Sequence, residues 1–90
     1  MTVPILSKAE IFERLKQVLV TEFGLRGDQV SPGARLVDDL DLDSIDWVDM
    51  AVALEAETGR KLKEEDLSSI RVVQDVVDTI FRKLQPESLD

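Results

Sequence analysis

The sequence predicts an all-α fold, a small four-helix bundle of three main helices and one short one, with a long loop after the first. Three observations carry this. Apolar residues recur at spacings of three and four along three segments, helix-starting side chains and helix-closing glycines stand at their ends, and no run alternates as a half-buried strand would. Ninety residues bury roughly 60–70% of their unfolded surface, enough for one core and one domain, 1–90.

Ser7-Lys8-Ala9-Glu10 has the spacing of a capping box, so the first helix starts at Lys8. Ile11, Phe12, Leu15, Val18, Leu19 and Phe23 form one stripe, and Gly24 can take the left-handed conformation that ends it, which predicts a helix over 8–23. From Gly24 to Asp43 no period is sustained, and Gly27, Pro32 and Gly33 interrupt the chain. A loop this long in a compact domain is usually functional or pinned by its own side chains, and Leu25, Val30, Leu36, Val37, Leu40 and Leu42 are available to pin it. Asp43 reads as an N-cap and Gly59 as a closing residue, giving a second helix over 44–58.

After Arg60-Lys61-Leu62-Lys63, the acidic start Glu64-Glu65-Asp66-Leu67 allows one or two turns. Val73, Val76, Val77, Ile80, Phe81 and Leu84 then repeat helically opposite Gln74, Asp75, Asp78 and Arg82, and Pro86 blocks continuation. Residues 1–7 and 86–90 are expected to be flexible ends.

Composition removes most chemistry. With no cysteine and no histidine, the chain has no thiol nucleophile, disulfide or Ser-His-Asp triad, and almost no route to a zinc or iron site. No metal site and no catalytic residue is expected. An apolar content of 43% is too high for a disordered acidic chain. No apolar run approaches the ~20 residues that span a bilayer, and Met1-Thr2-Val3-Pro4 lacks the plan of a signal peptide, so a cytoplasmic protein without membrane insertion is expected.

The net charge of −8 is concentrated. Between Leu36 and Gly59 lie Asp38, Asp39, Asp41, Asp43, Asp46, Asp49, Glu55 and Glu57 with no lysine or arginine, while the remaining acids and bases balance. That focuses a negative field on one surface and excludes nucleic acid as a partner. It suits a basic protein surface or cations, and it is also what a solvated helix face looks like.

At about 100° per residue, Trp47, Met50, Ala51 and Leu54 fall together on the second helix as a core face, with Asp46, Asp49, Ala53 and Glu57 opposite. Ile45, Val48 and Val52 form a second apolar stripe, bordered by Asp49 and by Ser44 and Glu55. One core cannot easily bury both stripes. Either the second is a docking surface for a basic partner, or the long loop covers Ile45 and Val48.

Asp39-Leu40-Asp41-Leu42-Asp43 opens like a calcium loop but fails it, because Ser44 stands where glycine is needed and Met50 where a bidentate glutamate is needed. Ser44, in the first turn of a helix, has no histidine to deprotonate it. Its functional reading is modification by another enzyme, with a phosphate group that the helix dipole favours; its other reading is simple helix initiation.

Leu42-Asp43-Ser44-Ile45-Asp46 resembles the D-S-L motif of acyl carrier proteins. Asp38-Asp39-Leu40, Val52-Ala53-Leu54-Glu55 and Val73-Gln74-Asp75-Val76-Val77 are similar to that family in order and spacing, so the resemblance covers Ile11 to Leu84. It implies a bundle of the acyl-carrier type that is not an enzyme. Ser44, with Asp43 beside it, would bear a covalent 4′-phosphopantetheine from coenzyme A and shuttle acyl thioesters between the synthases of fatty-acid-, polyketide- or aryl-polyene-like biosynthesis. Implied partners are a phosphopantetheinyl transferase and ketosynthases, ketoreductases, dehydratases or acyltransferases with basic docking patches, meeting a carrier that is monomeric when free. Asp43, Asp46, Asp49 and Glu55 match the family's acidic docking positions, and Ile45, Val48 and Val52 its apolar ones. Trp47, Ala51, Leu54, Leu62 and Ile70 are implied walls of an acyl pocket.

Three positions depart from the family. Trp47 replaces a small or aliphatic residue and either lines the pocket entrance, touches the arm or anchors the core edge. Ala56 interrupts a run that is often fully acidic, and Arg71-Val72 replaces a threonine pair, which predicts weak capping of the last helix. A peptidyl carrier is the near alternative, disfavoured because Leu40, Asp41, Leu42 and Asp43 stand where that relative has glycines. An unmodified acidic helical adaptor or cation buffer is the distant one. The Asp43-Ser44-Ile45-Asp46-Trp47 and Glu57-Thr58-Gly59-Arg60-Lys61 segments look more like carriers of dedicated pathways, such as aryl polyenes, than housekeeping ones.

Overall fold

The computed structural model describes residues 7–84; the expected flexible ends fall outside them, apart from Ser7. Its order is α1 (Lys8–Phe23), a 3-10 turn (Gly27–Gln29), α2 (Ser44–Thr58), α3 (Glu64–Ser68) and α4 (Val73–Leu84), with no strand among the described residues. The local chemistry that predicted the boundaries is in place. The Ser7 hydroxyl accepts the Glu10 N–H at 3.1 Å while the Glu10 carboxylate accepts the Ser7 N–H at 2.9 Å, so Ser7 belongs to the helix start. Gly24 and Gly59 close α1 and α2 with φ of 69° and 76°, a left-handed conformation that costs glycine nothing.

Helix α1 packs against both α2 and α4. Ile11, Leu15 and Leu19 of α1, Met50 and Leu54 of α2 and Val73, Val76 and Ile80 of α4 are all fully buried in one core. The wheel placed Ala53 on the face opposite the core, but it is half-buried and packed against it.

The long loop is part of the core. Val30, Ala34, Leu36, Leu40 and Leu42 are buried, Leu25 is half-buried, and Val37, expected to help pin the loop, is exposed. The backbone stitches the loop to the start of α4: Leu36 N–H donates to the Arg71 carbonyl at 3.0 Å, Val73 N–H to the Ala34 carbonyl at 3.0 Å and Gln74 N–H to the Pro32 carbonyl at 2.8 Å. Arg35 and Val72 form an isolated antiparallel bridge there. The weak capping expected of Arg71-Val72 is offset by Asp75, whose carboxylate accepts both the Arg71 N–H at 2.9 Å and the Val72 N–H at 3.1 Å.

Ion pairs join neighbouring helices, Lys8 to Asp78 at 3.0 Å and Arg14 to Glu57 at 3.1 Å. Both are exposed and contribute about 0–1 kcal/mol each. Asp66 of α3 differs, with a side chain only 11% exposed and Lys83 Nζ of α4 at 2.9 Å. Burial pushes the Asp66 carboxyl up, but the Lys63 N–H and the Lys83 ammonium together outweigh it and hold the group below its ordinary range. A carboxyl depressed in the folded state stabilises the fold above its unfolded pKa, ~3.9, and loses that contribution as pH falls through its folded pKa. Urea midpoints measured against pH should therefore stay level from neutrality down to ~5 and drop below ~4. In Asp66→Asn the protein should be less stable at neutral pH and the acid drop shallower; an unchanged acid limb would remove Asp66 from this role.

Candidate functional site

Ser44 is the first residue of α2 and is exposed. It is held there by what precedes it. Exposed Asp41 stands in a tight turn between buried Leu40 and Leu42 and takes φ of 59°, the one left-handed non-glycine among the described residues. Aspartate tolerates that region better than most side chains. Asp41 N–H donates to the Val37 carbonyl at 3.1 Å and Leu42 N–H to the Leu36 carbonyl at 2.9 Å, closing the reversal. Asp43 then caps α2: its carboxylate accepts the Asp46 N–H at 2.9 Å and its own N–H donates to the Asp46 carboxylate at 3.1 Å.

The eight acids of the 36–59 segment separate into two groups. Asp38 and Asp39 lie 3.5 and 3.7 Å from the Arg35 guanidinium, and Glu57 pairs with Arg14. Asp41, Asp49 and Glu55 are exposed and have no basic partner among the described residues, while Asp43 and Asp46 are engaged only with each other. The unneutralised charge therefore sits around Ser44 and along the outer side of α2. Among the described residues no three acidic side chains converge as a metal site.

The second apolar stripe is bare. Ile45, Val48 and Val52 are 71%, 56% and 62% exposed, so the loop does not cover them. Val37 is 56% exposed and adds an apolar point from the loop.

An open groove of about 610 Å³ runs beside Ser44, lined by Val37, Asp41, Leu42, Asp43, Ser44 and Trp47. A smaller one of about 160 Å³ continues from Val37 and Trp47 to Ile70 and Val72, with Arg35, Asp38 and Arg71 at its rim. Of the residues named as acyl-pocket walls, Trp47 and Ile70 border these grooves. Leu54, Ala51 and Leu62 are buried within the core itself. The Trp47 ring is half-buried, and its indole N–H is out of contact with solvent and has no hydrogen-bond partner.

Fold and surface define a class, a small helical module whose sequence holds no histidine or cysteine and whose exposed serine stands on an acidic, partly apolar face. Comparison with known proteins agrees. The family model described as the phosphopantetheine attachment site matches residues 13–80. Acyl carrier protein 2 of Ralstonia nicotianae is 40% identical over 75 residues, covering 83% of this chain and 93% of its own length. The acyl carrier protein of Petrotoga mobilis is 34% identical over 85 residues, 94% of this chain and all (100%) of its own, and that of Thermotoga maritima 40% identical over 78 residues, 87% and 96%. The chain belongs to the acyl carrier protein family. It is a non-catalytic carrier, and its cofactor is covalently attached 4′-phosphopantetheine. The surroundings of Ser44 fit that group, offering an accessible hydroxyl, a helix start and an adjoining groove with apolar Val37 and Leu42. No described helix is long and apolar enough to cross a membrane.

Proposed function

We propose that Ser44 is the attachment point and that the bare face of α2 is the surface presented to the enzymes that load and use the arm. The observation that supports this most is the position of exposed Ser44 at the head of Ile45, Val48 and Val52, all solvent-exposed and flanked by Asp49 and Glu55, which have no ion-pair partner among the described residues. Apolar contacts of this kind supply affinity, and the surrounding carboxylates raise the rate of encounter with a basic patch.

In loading, the Ser44 oxygen forms a bond to the phosphorus of the phosphopantetheine half of coenzyme A. The pyrophosphate bond breaks, adenosine 3′,5′-bisphosphate leaves, and the serine proton passes to a base on the transferase, since this chain has no histidine. The helix start favours the phosphodiester that results, by ~0.3–1 kcal/mol. Once attached, the arm supplies a thiol that carries acyl groups as thioesters. This chain's residues present the arm and orient the partner. The likeness of Asp43-Ser44-Ile45-Asp46-Trp47 and Glu57-Thr58-Gly59-Arg60-Lys61 to carriers of dedicated pathways supports a polyketide- or aryl-polyene-like role, and the acidic face suits synthases, reductases or dehydratases with basic docking patches.

Intact mass after incubation with coenzyme A and a broad-specificity transferase tests the assignment. The protein should gain one phosphopantetheine, and Ser44→Ala should gain none while keeping its helical circular dichroism. A modified Ser44→Ala protein would move the attachment elsewhere.

A further inference from the structure

The two grooves beside α2 share Val37 and Trp47. One opens at Ser44; the other leads past Trp47 to Ile70 and Val72, at the start of α4. Together they make a track that begins at the proposed attachment point and ends between the loop and the last helix.

Trp47 lies on that track with an unmet requirement. A buried donor without an acceptor costs about 1–3 kcal/mol, and buried tryptophan N–H groups usually find a partner. The Trp47 indole N–H has none among the described residues. Packing at the core edge accounts for the ring, but a leucine or phenylalanine would pack there without leaving a polar atom unsatisfied.

Resting on the reading that Ser44 bears the arm, we propose that the phosphopantetheine arm folds back along this track and that one of its amide carbonyls accepts the Trp47 indole N–H. The chemistry matches on both sides. The arm carries a geminal dimethyl group and, past a hydroxyl, its first amide, while the groove beside Ser44 is lined by apolar Val37 and Leu42 together with Trp47. Ser44 and Trp47 stand three residues apart on α2, so their Cβ atoms are about 5–6 Å from each other, within reach of the first amide. The carbonyl must part the groove wall to reach the N–H, and the wall residues Arg35, Val37 and Asp38 are exposed. An arm held this way rests on the carrier and is released when a partner docks on α2.

Because Trp47 is the only tryptophan, a ¹⁵N-labelled protein gives one indole cross-peak to follow. It would be recorded for the apo protein, for the holo protein with loading verified by mass, and for Ser44→Asp, which adds negative charge but no arm. The expected result is a downfield shift of the indole proton on loading, with Overhauser contacts from the ring to the arm's methyl groups, and no such shift in Ser44→Asp. In loaded Trp47→Phe, which keeps a ring and removes the donor, contacts between the arm's methyls and Val37 should be lost. A verified holo protein whose indole peak stays in place, or a Trp47→Phe protein that keeps those contacts, overturns the inference and leaves the carrier reading standing. No mass gain overturns the reading that Ser44 bears the arm and this inference with it.

Discussion

Replacing Leu36 with alanine is expected to lower the stability of the domain by about 2–5 kcal/mol, and to slow the loading of Ser44 with it. Leu36 is fully buried, its N–H reaches Arg71 of the α4 start and its carbonyl receives the Leu42 N–H at the base of the serine loop. One side chain thus seats the loop in the core at the point where the backbone ties it on both sides. A domain of this length has roughly 4–14 kcal/mol in total, so the loss is a large share. Val37→Ala, one residue away but exposed, should change stability by no more than ~0.5 kcal/mol. Urea unfolding compares the two, and a Leu36→Ala protein as stable as the parent would mean that the loop is not part of the cooperative core.

Reversing two charges on α2 is the second large effect. Asp49 and Glu55 are exposed and have no ion-pair partner among the described residues, so Asp49→Lys with Glu55→Lys changes the field of the docking face without breaking a pair. Asp46 is unsuitable for this, because its carboxylate and N–H complete the cap of α2. The kcat/KM of loading should fall at least ~10-fold at low ionic strength, and the difference should shrink as salt rises past ~0.15 M, where the screening length is ~8 Å. Val48→Ala should also slow loading, but by an amount that salt does not change, because it removes apolar contact. A double reversal without effect on the rate would place the transferase on another surface.

The elements that proved legible in the sequence are those governed by neighbours in the chain. Ser7 with Glu10, Gly24, Asp43 and Gly59 set the ends of α1 and α2 through contacts no more than four residues apart, and the apolar stripe of α4 identified it despite its valines. What escaped depends on partners far along the chain. The bridge between Arg35 and Val72 and the exposure of Val37 follow from how the loop meets α4, which no local period encodes. The left-handed turn at Asp41 is closed by the Asp41 and Leu42 N–H groups reaching back to Val37 and Leu36, and nothing in the run of acids and leucines around it announces that turn. The capping of α4 is local and legible: Asp75 stands three residues after Val72, the spacing of a helix-start acid. For the candidate site, the wheel separated the buried face of α2 from its second stripe, but only the packing of the loop decided that this stripe faces water.

The hydrogen bonds from Leu36 to Arg71, and from Val73 and Gln74 back to the loop, have a consequence for the protein during its synthesis. The segment that positions Ser44 is complete only when residues beyond 70 are available to pair with it. A nascent chain in which α1 and α2 have left the ribosome but α4 has not would expose the serine without its platform. Loading is thereby expected to wait until almost the whole described chain has emerged, so that an unfinished carrier is not charged with a cofactor it cannot use.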